Sequence, residues 1–166
     1  MPMTTSRQNA EALQVAHALD MIVKLPPHTN DAALLVEVQI ACLESYYSNL
    51  RVLVEFLGLT NDKKTIKAID FVPGWKYPTG QAADLLRKEY GFASEQVSHL
   101  AKSRVPDAEG TIINVHPMKL RNIALLVVRL FEDEYVPALR AAGSPQLVQF
   151  EASVLQAKVN VSKFFR

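Results

Sequence analysis

Between Asp31 and Leu57 the chain places its charges at Glu37, Glu44, Arg51 and Glu55, separated by seven, seven and four residues. On an α-helix those separations fall on one narrow stripe, and the remaining circumference reads as apolar. A single contact face needs only a third to a half of a helix surface. This segment must therefore sit at the centre of a bundle or also pack against a second subunit. Asn30 and Asp31 suit its start as a capping residue and a first-turn charge, and Gly58 suits its end.

The same helical period recurs along the chain. Leu13, Ala16, Leu19, Ile22 and Val23 predict a first helix over Ser6 to Leu25, stopped by Pro26-Pro27. A third helix is expected over Thr79 to Tyr90, ended by Gly91, and a fourth from Ser94 to Ser103. Pro117 opens a fifth that runs to Tyr135, is apolar on more than one face and should kink or end at Pro137. Ser144-Pro145 precedes a sixth carrying Leu147, Phe150, Val154, Val161 and Phe165. No stretch alternates or repeats, so the expectation is all-α: one domain over residues 1–166, a bundle of five to six helices with the second and fifth long and central.

Composition narrows the function classes. The formal charge of +1 provides no global field for nucleic acid or anionic membrane. The single cysteine, Cys42, forms no disulfide framework or cysteine metal site, and the longest apolar stretches are broken by Glu37, Glu44, Arg51 and Arg129. With no signal-peptide pattern from Met1 to Arg7, the expectation is a cytoplasmic protein without membrane contact. His17, His28, His99 and His116 never stand three or four residues apart, and no glycine-rich phosphate loop occurs, so neither metal nor cofactor is expected.

Two regions remain as candidate sites. Leu59 to Thr79 is rich in turn formers yet holds Phe71, Trp75 and Tyr77, so a long aromatic-bearing loop is expected. Those rings either fold back over one end of the core, the favoured reading, or form a platform for stacking a ligand. The second region concentrates six basic groups: His99, Lys102 and Arg104, then His116, Lys119 and Arg121 at the start of the fifth helix. Cations there oppose the helix dipole unless an anion or an acidic neighbour compensates. Phosphate or RNA is one such anion, and Asp107 and Glu109 are the acidic alternatives.

Local phrases in the middle of the chain add a resemblance. Tyr46-Tyr47-Ser48-Asn49-Leu50 running to Glu55-Phe56-Leu57, then Asp70-Phe71-Val72-Pro73 with Trp75, then Glu95-Gln96-Val97-Ser98-His99-Leu100, resemble the HEPN superfamily of helical bundles. The resemblance spans about half of the chain. It implies a dimeric bundle from a bacterial or phage toxin–antitoxin or defence-type system. It also implies, in active members, a metal-independent ribonuclease in which four to six residues separate an arginine from a following histidine. His99 matches the histidine, but Ser94, Ala93 and Phe92 occupy the arginine positions.

The leading expectation is therefore a non-catalytic HEPN-like binding or scaffold protein, a homodimer with an RNA or protein partner. The enzyme alternative is a ribonuclease in which His99 is acid or base and Lys102, Arg104, Lys119 or Arg121 replaces the arginine. The third reading is a small-ligand sensor with the Trp75 loop as its lid.

Overall fold

The computed structural model describes residues 5–60, 65–98 and 115–164, and every regular element among them is helical. Helix α1 (Thr5–Lys24) buries Ala12, Val15, Leu19, Ile22 and Val23 along one helical stripe and ends where Pro26 and Pro27 enter a short 3₁₀ turn, Pro26–Asn30.

Helix α2 (Val36–Phe56) starts five residues later than Asn30 and Asp31 suggest. The Asp31 carboxylate accepts from the Ala33 amide at 3.0 Å and so caps a turn, while the Gln39 side-chain amide reaches back to the carbonyls of Asp31 and Leu34. These local bonds satisfy the connection without a helix. Its C-terminus follows the sequence expectation. Gly58 takes φ +77°, Leu59 N–H reaches the Val54 carbonyl and Gly58 N–H that of Glu55, a Schellman arrangement.

Helix α3 (Gln81–Ser98) corrects the expected break at Gly91. Gly91 keeps a negative φ and faces open space, and burial of Ala93 beyond it outweighs the roughly 1 kcal/mol that glycine costs inside a helix. The expected fourth helix, Ser94 to Ser103, is thus the end of α3 as far as Ser98; the rest of it lies outside the described residues.

Helix α4 (Pro117–Leu130) runs into one π turn, Phe131–Tyr135, in which the Val136 amide bonds to the Phe131 carbonyl, and then into α5 (Val136–Ala141). The wide turn delivers Pro137 into the first turn of α5, where its missing N–H is harmless, so the rod continues past proline. Helix α6 (Leu147–Phe164) follows the Ser144-Pro145 turn.

Counting α4, the π turn and α5 as one rod, five long rods pack around a single core cluster. Helix α1 lies along α2, α4 and α6, and α3 lies along α2. The α1–α6 pair is parallel: Gln146 donates to Asn9 near the start of both helices, and Asn160 donates to Asp20 near the end of both. Helices α2 and α4, the two expected centres, meet through side chains. The buried Tyr46 hydroxyl donates to the Leu120 carbonyl at 2.9 Å, and Phe56 lies 5.9 Å from Phe131 and 5.1 Å from Tyr135.

Candidate functional site

Of the six basic groups singled out from sequence, His99, Lys102 and Arg104 lie outside the described residues. The other three stand at the start of α4, each already engaged. His116 is the N-cap: its Nδ1 accepts the Met118 amide at 3.2 Å. Lys119 places its ammonium 3.0 Å from a Glu89 carboxylate oxygen and 5.1 Å from the Phe92 ring centre. The Arg121 guanidinium reaches the Met118 sulfur at 3.8 Å. The acidic neighbour that compensates Lys119 at a helix start therefore comes from α3, thirty residues away in sequence, rather than from the adjoining loop.

Glu89 is the residue that sequence reasoning missed. It is 4% exposed, on the buried stripe Ala83, Leu86, Glu89, Ala93 of α3. The signal existed: a carboxylate at an apolar helical register, one turn from Leu86, has to meet a cation or a donor. Around it, Tyr47 and Phe92 meet edge to face at 5.4 Å, and Tyr46 and Tyr47 stack edge to face at the same separation. Burial first raises the pKa of both tyrosine hydroxyls well above the ordinary phenol value; Tyr47 and then the Glu89 charge add to this for Tyr46, and the Glu89 charge adds to it for Tyr47. Both stay neutral at physiological pH, and the Tyr47 hydroxyl has no hydrogen-bond partner among the described residues.

A second polar group lies on the other flank of α3. The Tyr90 hydroxyl donates to a Glu55 carboxylate oxygen at 2.8 Å, Arg51 pairs with Glu55 at 3.8 Å, and its guanidinium lies 5.6 Å from the Tyr90 ring centre. Burial, then the bond and charge of Glu55, raise the Tyr90 hydroxyl. The Arg51–Glu55 end of the charged stripe of α2 is thus an ion pair closed by an aromatic hydroxyl, and with Glu89–Lys119 it clamps α3 onto α2 and α4.

The loop aromatics fold back onto the bundle. Phe71 and Trp75 are buried, the Trp75 indole N–H donates to the Leu57 carbonyl at 3.3 Å, and its ring meets Tyr135 edge to face at 5.4 Å. Tyr77, partly exposed, lies across Gly58: a Cβ on that glycine would fall 2.2 Å from the Tyr77 ring. Phe71 and Trp75 are thus packed into the bundle, with Trp75 also bordering a surface cavity beside Glu134 and Ala138.

Among the described residues no cluster of three potential metal ligands occurs, and no helix is long and apolar enough to cross a membrane. The apolar side chains that the fold leaves exposed include Leu35, Val36 and Val38 at the start of α2, Val148, Leu155 and Val159 on α6, and single residues such as Leu13, Leu85 and Met118 elsewhere. Comparison with protein families, with characterised proteins and with solved structures finds no match to the chain.

Proposed function

We propose that this protein is a non-catalytic, HEPN-like binding or scaffold module of a bacterial or phage accessory system that works as a homodimer. The observation that carries the reading is apolar surface left outside a closed core: α6 holds core-type side chains, Val148, Leu155 and Val159, aligned on a face that the bundle does not cover. Exposed apolar residues aligned on one face, rather than scattered singly, mark association surfaces. The chemistry at the start of α4 supports the same side of the choice, because the Lys119 ammonium is committed to Glu89 instead of standing ready for a phosphate. A sensing role for Trp75 would require its indole to leave Leu57 and Tyr135.

Light scattering over a concentration series tests the homodimer, and a single monomeric mass throughout removes it. A panel of RNAs incubated in chelator tests the enzyme alternative. Cleavage by the wild type that is lost in a folded His99→Ala variant would replace the scaffold reading with a ribonuclease, whereas intact RNA is the expected result.

A further inference from the structure

Helix α6 carries two apolar seams. Phe150, Val154, Ala157 and Val161 face the core, and Val148, Ala152, Leu155 and Val159 face the opposite way. Both sets are spaced four, three and four residues apart, the spacing with which helices mesh at a shallow crossing angle of about 20°. The outer seam is open: Val148 is 75% exposed, Leu155 64% and Val159 52%. Leu13 of α1, 63% exposed, extends it. Leu13 shares a helical stripe with Asn9 and Asp20, the α1 residues hydrogen-bonded to α6, and so stands beside that helix.

The pattern of this seam selects its occupant. The midpoint of Val148 and Val159 and the midpoint of Ala152 and Leu155 coincide, both falling between Ser153 and Val154. Reversing the helix end for end therefore lays like on like. One edge of the seam carries Glu151 and Lys158, which pair across a small groove with Arg140 and Glu132. Their midpoint lies one residue further along. In an antiparallel pair related by a twofold axis, equivalent edges adjoin. Each Glu151 then meets Lys158 of the second copy with an axial offset of about 3 Å. A parallel pairing would set that edge against Gln149 and Gln156 and forfeit the charge match.

We propose that a second copy of this chain docks antiparallel on the outer face of α6, setting Val148 against Val159 and Ala152 against Leu155 across a twofold axis. The inference rests on the self-associating scaffold reading and names the surface that it uses. A seam one helix wide lies at the low end of stable interfaces, about 1,200 Å² in total, so micromolar association is expected.

Sedimentation equilibrium of the wild type, Leu155→Asp and Val38→Asp, each checked for helicity, is the first test. Leu155→Asp should raise the dimer dissociation constant by about a hundredfold or more, since each copy would bury an uncompensated carboxylate. Val38→Asp on α2 should leave it unchanged. The second test fixes orientation in a Cys42→Ser background. A mixture of Val148→Cys and Val159→Cys chains should form an intermolecular disulfide on mild oxidation, while Val148→Cys alone should not. A dimer that survives Leu155→Asp, or in which Val148→Cys crosslinks to itself, overturns the α6 arrangement and leaves self-association standing. A wild type that stays monomeric at every concentration overturns both.

Discussion

Removing the Lys119 ammonium would strand the Glu89 carboxylate at the junction of α2, α3 and α4, beside the Tyr46 and Tyr47 rings. Removing the carboxylate would release a half-exposed lysine to water. The two ends of the pair are therefore unequal. Lys119→Ala should destabilise the protein by about 1–3 kcal/mol, the cost of leaving a buried polar group unsatisfied. Glu89→Gln should cost less, because the amide retains an acceptor for Lys119 without a buried charge. Adding Glu89→Met to Lys119→Ala should recover most of the loss, since a buried ion pair is replaceable by apolar volume. Urea unfolding of the three variants reads this order, and equal losses for Lys119→Ala and Glu89→Gln would show that the carboxylate is hydrated rather than buried.

The end of α2 is decided by one glycine and one ring. Gly58 needs both its positive φ and the absence of a Cβ, because the Tyr77 ring occupies the place where that Cβ would stand. Gly58→Ala should cost about 1–2 kcal/mol for the left-handed backbone alone, plus whatever is needed to displace the ring. Pairing it with Tyr77→Ala should relieve the steric part and leave the backbone part, a double-mutant cycle with a favourable coupling term. Perfect additivity of the two changes would place the ring away from the glycine. The other rods show how far elements depend on their neighbours. Glycine does not break α3, because Ala93 beyond it is buried, and proline does not break the α4–α5 rod, because the π turn sets Pro137 where no amide is needed.

At the scale of the whole molecule, three tyrosines lie inside the bundle. Burial holds the hydroxyls of Tyr46, Tyr47 and Tyr135 protonated well past the ordinary value, and the Glu89 charge adds to this for the first two. Their folded-state pKa values exceed the unfolded value of about 10, so the stability they contribute is complete below that pH and declines above it as the unfolded chain ionises first. Each group should steepen the decline by roughly 1.4 kcal/mol per pH unit. Urea midpoints measured from neutral to strongly alkaline pH should fall sharply beyond pH ~10. Phenolate absorbance from these residues should then appear together with the loss of helicity. Titration of all the tyrosines in a chain that keeps its helicity would contradict this interior placement. The same packing closes the aromatic centre, where Phe56 touches Phe71, Phe131, Tyr135 and Phe150.

The period of apolar residues, with prolines and glycines as breaks, determined the helical class, the extents of α1 and α6 to within a few residues and the Schellman end of α2 at Gly58, because these depend on contacts within a few positions of each other. The solubility cost of exposed rings likewise predicted that Phe71, Trp75 and Tyr77 turn inward, which the first two do while Tyr77 stays 42% exposed across Gly58. Whether Gly91 ends a helix, how Pro137 is accommodated and which acid answers Lys119 were decided only in three dimensions. Each depends on partners far along the chain whose combined packing outweighs a local preference of about 1 kcal/mol. The apolar excess of α2 and of the rod beginning at Pro117 was legible, but its use was not. The α4 rod spends it in the core and α2 buries no residue before Tyr46, while the surface most like a subunit contact lies on α6. Periodicity alone cannot say which of two apolar faces a bundle will cover, because that follows from where the other helices lie.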